Sequence, residues 1–217
     1  EQYEIYNIES KLKSLLNYFY ELEILLESHN SKYLDKIKNK YKNKKIAKQI
    51  QYIYDNYILK FLKKNIDLVN QTIKFIIETP SLFDKYLTFD EKFKLQKSIL
   101  YNTKQINAYS WKLFICLTDL FLLRRLLDKQ YIKNSIIYTG ASHMIDITYF
   151  LIKYFDFKIT NIAWSDPDID KGSIDILNEK IKNSSYTNLE EFSFLENYLW
   201  NGNFQCSNMC NFPDNFK

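Results

Sequence analysis

The sequence predicts an α/β protein that is predominantly helical, with a helical N-terminal region packed on a small parallel βαβ unit near the C-terminus. Two observations predict this fold. Apolar residues recur at three- and four-residue steps through most of residues 1–130, which is typical of amphipathic helices. Two short runs rich in β-branched and aromatic residues, 135–138 and 157–163, then flank an apolar segment of helical spacing, 144–155. We therefore divide the chain into a helical region, 1–130, and a βαβ unit with an acidic C-terminal tail, 131–217.

The N-terminal region is predicted to contain several helices. The helical spacing covers these stretches: residues 8–26, residues 46–77, a helix that begins after Thr88, and residues 105–128. The second of them ends at Thr79-Pro80, because the residue before a proline avoids the helical backbone region. Thr88 is followed three residues later by Glu91, the capping-box signature of a helix start. A last helix is predicted in the tail, near residues 174–181.

The segment Ile136–His143 is predicted to be a short buried strand that runs into a tight turn of small residues with a bend at Gly140. Such a turn presents a polar side chain, here His143, at the carboxyl end of a strand. With the helix 144–155 and the strand 157–163 it forms a parallel βαβ unit with a right-handed crossover. Parallel sheets normally have more than two strands. We therefore expect the tail, upstream sequence or another chain to complete the sheet.

Composition restricts the class of protein. Hydrophobic residues at 46% and aromatic residues at 17% exclude a disordered chain. The abundance of Lys, Asn, Ile, Tyr and Phe indicates an AT-rich genome, which accounts for many of the lysines without a function. Three cysteines exclude a disulfide scaffold and favour a reducing compartment. Cys116 is predicted to be a buried thiol, and Cys206 and Cys210 are two loose thiols or a local disulfide.

No membrane partner is expected from the sequence. The most apolar run, 113–123, contains Asp119. It is also about half as long as the ~20 residues that cross a bilayer.

A basic stretch, Lys32–Lys64, contains eleven lysines and two acidic residues, with tyrosines interleaved at positions 33, 41, 52, 54 and 57. Such a helix face could bind nucleic acid or an acidic protein, with the tyrosines stacking on bases. No arginine lies in this stretch, so the contacts would be to the phosphate backbone. A solvated helix face accounts for the same residues. The predicted anion contacts are Lys38, Lys42, Lys44, Lys45 and Lys48.

A second candidate site combines His143 with Asp119 and Arg124 of the preceding helix. A carboxylate on so apolar a helix needs a partner, so an Asp–Arg or Asp–His pair that joins helix to strand is one interpretation. In the other interpretation the three residues line one cleft, where His143 is a base or metal ligand and Arg124 holds an anion. Residues 166–172 lack the pattern of a calcium loop and are interpreted as an acidic turn after the second strand. In the functional interpretation this turn would hold a cation or a substrate group. The sequence does not identify a metal or a cofactor.

The blocks 119–125, 136–143, 150–151 and 157–159 resemble a pattern in uncharacterised proteins of giant amoebal DNA viruses. The strand–Gly-x-x-His–helix arrangement is also similar to the last conserved block of the Tiki/TraB and erythromycin-esterase-like group. That resemblance implies a metal or hydrolytic site at His143. The N-terminal Gly-x-x-His block of that group has no counterpart before residue 113, so the scaffold would be a C-terminal portion or a degenerate form.

Two functions follow as hypotheses, and the sequence leaves open whether the protein is an enzyme. The first is a non-catalytic binding or virion-associated protein that uses the basic stretch. The alternative is a divergent metal-dependent or esterase-like hydrolase domain with His143 in a half-site. Either protein is expected to be intracellular, in the host cytoplasm or in the virion.

Overall fold

The structure is a computed structural model that describes residues 2–27, 35, 37, 41–79, 88–129, 131–160, 162 and 171–184. Within these residues the secondary structure is helical. The chain divides into two compact units, Glu1–Lys133 and Asn134–Lys217.

The first unit is built from long helices. Its elements are α1 (Gln2–Glu27), α2 (Lys44–Ile53), a π-helix termed π1 (Tyr54–Leu59), α3 (Lys60–Glu78) and α4 (Phe89–Leu127). Helix α3 packs against both α1 and α4 and therefore lies at the centre of the unit. The helices predicted after Thr88 and over 105–128 are one helix of 39 residues. The core contains buried apolar side chains from all of these elements, among them Phe19, Leu26, Ile53, Phe61, Leu62, Val69, Leu113 and Leu120.

The predicted capping box at the start of α4 is confirmed. The Thr88 side chain accepts a hydrogen bond from the Glu91 backbone N–H at 3.4 Å, and the Thr88 N–H donates to Glu91 Oε2 at 2.9 Å. Two of the first four backbone groups of this terminus are therefore satisfied locally. The hydrogen bonds from Thr88 lower the pKa of the Glu91 carboxyl.

The π-helix π1 was not predicted, but the burial pattern explains it. Buried side chains repeat every four residues along two rows: Ile53, Tyr57, Phe61, Asn65 in one, and Tyr54, Ile58, Leu62, Ile66 in the other. In an α-helix a row with this repeat rotates by roughly 40° at each step. The wider turn of a π-helix, with its i→i+5 hydrogen bonds, reduces that rotation and keeps both rows on the core.

Helix α4 is long and apolar enough, by length and composition, to cross a membrane. Core helices of soluble proteins meet the same criteria. In this unit α4 packs against α3 and π1 and buries Leu113, Leu120 and Leu123 on that side. The expectation that the protein has no membrane partner stays a prediction.

The second unit contains α5 (Ala141–Phe155) and α6 (Lys171–Asn183), which pack against each other. Lys153 of α5 donates to the backbone carbonyls of Lys182 and Ser184 at the end of α6. A cation at this position satisfies orphan carbonyls and interacts favourably with the negative end of the helix dipole. Partial burial lowers the pKa of the Lys153 ammonium.

The predicted βαβ unit is wrong. Among the described residues, 131–140 and 157–160 form no strand. Ile136 is 70% exposed and Tyr138 is fully exposed, so the first run is not a buried strand. In the second run the Asn178 side chain of α6 takes the place of a neighbouring strand, because it accepts from the Ile159 N–H at 2.8 Å and donates to the Ile159 carbonyl at 2.9 Å. The fold is all-helical over the described chain.

Candidate functional site

His143 lies in the first turn of α5 and is half-buried. The predicted glycine bend before it is wrong. Gly140 has φ −70° and ψ 161°, an extended conformation open to any residue, and a Cβ at this position would meet no atom within 4 Å. His143 is therefore presented by the start of a helix rather than by the end of a strand.

Asp119 and Arg124 both lie on α4, in the first unit, whereas His143 belongs to the second unit. The Asp119 side chain is buried, and Arg124 is half-buried in the last turn of the helix. A cleft that combines these two residues with His143 stays a prediction.

The structure describes four of the five lysines that were predicted to contact an anion, and all four are exposed. Lys42 precedes α2, Lys44 and Lys45 open its first turn, and Lys48 lies one turn later. Lys38 lies outside the described residues. We call Lys42, Lys44, Lys45 and Lys48 the basic surface. The first turn of α2 contains no acidic residue.

The tyrosines of the basic stretch are not equivalent. Tyr52 lies on α2, 51% exposed, four residues after Lys48. Tyr54 and Tyr57 are buried in the core, and the Tyr54 hydroxyl donates to the Leu26 carbonyl at 2.9 Å. The prediction that these two tyrosines stack on bases is wrong, because their rings pack inside the protein.

The lysines at the C-terminal end of the basic stretch contact other parts of the first unit. Lys63 Nζ lies 3.9 Å from Glu27 Oε1. Lys64 Nζ lies 5.2 Å from the centre of the Tyr109 ring, a cation–π distance. The interval 32–64 is therefore not one continuous face, and the basic surface is the part of it around the start of α2.

A cluster that sequence reasoning missed lies beside the basic surface. The backbone N–H of Lys42 donates to Asp128 Oδ1 at 3.0 Å, which holds the segment before α2 against the end of α4. Tyr41 lies in this segment, and burial raises the pKa of its phenol. The Asp128 carboxylate raises that pKa further, whereas the Arg124 guanidinium lowers it. We call Tyr41, Arg124 and Asp128 the Tyr41 cluster.

Asp146 is the second residue that the sequence did not single out. It lies on α5, three residues after His143, and is fully buried. Positions three apart are neighbours on a helix surface. The apolar residues around it in sequence, Ile145 and Ile147, are also buried. No group of three or more metal-ligating side chains occurs among the described residues.

Cys116 is buried on α4, as predicted. Cys206, Cys210 and the acidic turn 166–172 lie outside the described side chains.

A comparison with protein families identifies the chain. A model named "family of unknown function (DUF5847)" matches residues 8–217. The chain belongs to the DUF5847 family. This family does not itself have an assigned function, so the match identifies relatives rather than a chemistry.

The relatives of this DUF5847 protein are proteins of Acanthamoeba polyphaga mimivirus. Uncharacterized protein R161 is 46% identical over 99 residues, which cover 46% of the chain and 20% of that protein. Uncharacterized protein R160 is 33% identical over 151 residues, which cover 64% of the chain and 32% of that protein. Uncharacterized protein R706 is 41% identical over 104 residues, which cover 48% of the chain and 23% of that protein. The chain thus spans about a fifth to a third of the length of these curated relatives.

These relatives confirm the predicted likeness to proteins of giant amoebal viruses and are consistent with an intracellular location in the host. Association with the virion stays a prediction. No solved structure matches the chain. The comparisons do not show the resemblance of residues 140–143 to the Tiki/TraB and erythromycin-esterase-like group.

Proposed function

We propose that this DUF5847 protein is a non-catalytic binding protein that holds single-stranded nucleic acid by its phosphate backbone on the basic surface. The observation that carries this proposal is the exposure of Lys42, Lys44, Lys45 and Lys48 around one helix start.

The positions of these lysines are unfavourable for the helix alone. The first turn of a helix carries a partial positive charge, so Lys44 and Lys45 cost about 0.3–1 kcal/mol each relative to neutral residues. A bound anion would offset that cost. The arrangement therefore favours a polyanion as the ligand of this surface.

The shape of the surface supports a stacking contribution. Lys44, Lys48 and Tyr52 are spaced four apart and therefore lie along one face of α2. The opposite face buries Ile50 and Ile53. An exposed tyrosine in line with two lysines matches the combination of phosphate contacts and base stacking used on single strands. Lysine binds phosphate as a point charge, so sequence-independent binding is expected.

The hydrolase alternative has no observation in its favour. It depended on a strand that delivers His143, and residues 131–140 form no strand. We therefore propose binding alone.

The experiment is fluorescence anisotropy of a labelled single-stranded 20-mer at 50 and 200 mM KCl. The variant is the triple substitution Lys44→Gln, Lys45→Gln and Lys48→Gln. We expect at least a ten-fold loss of affinity and a decrease of about 2 in the slope of log K against log salt, since each phosphate contact on a single strand contributes about 0.7.

The control has the same net charge but the substitutions are on α4: Lys94→Gln, Lys97→Gln and Lys104→Gln, all exposed in the wild type. An equal loss in this control, or binding that does not weaken with salt, would contradict the proposal. Tighter binding of poly-glutamate than of the oligonucleotide would replace nucleic acid by an acidic protein as the partner.

A further inference from the structure

The Tyr41 cluster contains two polar groups whose hydrogen bonds are not made. Tyr41 Oη and Arg124 Nε are both shielded from solvent, and neither has a hydrogen-bond partner within the described part of the chain. Buried polar groups in proteins are generally paired, and each exception needs an explanation. Two such exceptions at one position are therefore informative.

Both unpaired groups are donors. A guanidinium has only N–H donors and keeps its charge under all ordinary conditions. Burial raises the pKa of Tyr41, so its phenol keeps its proton at neutral pH and can donate. The Asp128 carboxylate, the acceptor nearest in sequence, already accepts the Lys42 N–H through Oδ1. Neither Tyr41 Oη nor Arg124 Nε bonds to this carboxylate, and an acceptor-rich ligand would supply an acceptor to both.

We infer that Tyr41 and Arg124 form an oxyanion site that takes a phosphate group, with Lys42 of the basic surface at its edge. The inference rests on the proposed function and deepens it, because it assigns a specific phosphate contact beside the lysines. Phosphate oxygens accept several hydrogen bonds at once, and arginine is the side chain that matches their geometry best.

The charges around the site favour an anion. Arg124 and Lys42 bring two positive charges against one negative charge from Asp128. Arg125, the next residue, is exposed. Successive residues lie about 100° apart around a helix, so Arg125 is not part of the site. The hydrogen bond from Lys42 to Asp128 joins the segment before α2 to the end of α4, so the two donors come from segments that are held together.

The first experiment is thermal unfolding of the full chain in 0–20 mM inorganic phosphate, with KCl adjusted to keep the ionic strength constant. A ligand that binds only the folded state raises the melting temperature. We expect a rise for the wild type, no rise for Arg124→Gln or Tyr41→Phe, and an unchanged rise for the control Arg125→Gln. No rise in the wild type, or an equal rise in Arg124→Gln, would overturn the inference.

The second experiment separates this inference from the proposed function. Arg124→Gln and the lysine triple variant are compared in binding the single-stranded 20-mer. A ten-fold loss in both supports the site as part of the nucleic-acid surface. A loss in the lysine variant alone overturns the oxyanion site and leaves the proposed function standing. A loss in Arg124→Gln alone supports the oxyanion site and contradicts the role of the basic surface.

Discussion

The α3–α4 contact and the Tyr41 cluster both remove polar side chains from water, but only the first pairs them within the protein. Asn65 of α3 is fully buried; its amide donates to the Phe61 carbonyl at 3.0 Å, and its Oδ1 accepts from Ser110 Oγ of α4 at 3.2 Å. Tyr41 Oη and Arg124 Nε have no such partners among the described residues. Paired polar groups specify how helices pack. Unpaired buried donors need an explanation, and a phosphate ligand is the one that we infer for Tyr41 and Arg124.

Asn65→Asp disrupts the paired polar groups of the α3–α4 contact and should have the largest effect on the free energy of unfolding. The new carboxylate cannot donate to the Phe61 carbonyl and places a charge in the core. We expect the free energy of unfolding to fall by about 3 kcal/mol or more at pH 7, measured by urea unfolding. Burial raises the pKa of the introduced carboxyl in the folded state. The deficit should therefore shrink as the pH falls through that raised value and be absent below about pH 4.

The control is Asn70→Asp, at an exposed residue of α3 whose amide donates to the Tyr20 hydroxyl at 3.2 Å. We expect a loss below about 1 kcal/mol, because water solvates the new charge. Equal losses at positions 65 and 70 would show that pairing in the α3–α4 contact is not what stabilises it.

Asn178→Ala extends the comparison to the second unit. Its side chain makes hydrogen bonds to the Ile159 N–H, the Ile159 carbonyl and the Ile174 carbonyl. We expect amide exchange at Ile159 to become at least about ten-fold faster, which corresponds to roughly 1.4 kcal/mol of local protection. The exposed Asn183→Ala is the matched control and should leave this amide unchanged. Full protection in Asn178→Ala would mean that Ile159 is paired by other groups, as in a sheet.

The sequence predicted the helices because their signals are local and repeated. The stripe over 8–26 and the segments 144–155 and 174–181 fall within α1, α5 and α6. The capping box at Thr88 and the stop at Thr79 depend on the neighbouring residues alone, and both are observed. Local chemistry of this kind does not require knowledge of the tertiary structure.

The prediction of a βαβ unit was wrong because short runs of β-branched and aromatic residues do not reveal which groups their backbone pairs with. The polar backbone of Ile159 is satisfied by one asparagine side chain nineteen residues away. The Tyr41 cluster was missed for a similar reason, since Lys42 and Asp128 are 86 residues apart in the chain. Arg124 was singled out as an anion clamp, but for a cleft with His143.

The most direct test removes two buried tyrosine hydroxyls in turn and compares the free energies of unfolding. Tyr54→Phe and Tyr41→Phe are each unfolded in urea without phosphate. Tyr54 Oη donates to the Leu26 carbonyl, so Tyr54→Phe should cost about 1 kcal/mol. Tyr41→Phe removes a donor with no partner in the described chain, and we expect the free energy of unfolding to stay constant or to rise by up to about 1 kcal/mol. A loss in Tyr41→Phe as large as that in Tyr54→Phe would show that the Tyr41 hydroxyl is already paired within the protein, and would contradict the oxyanion site.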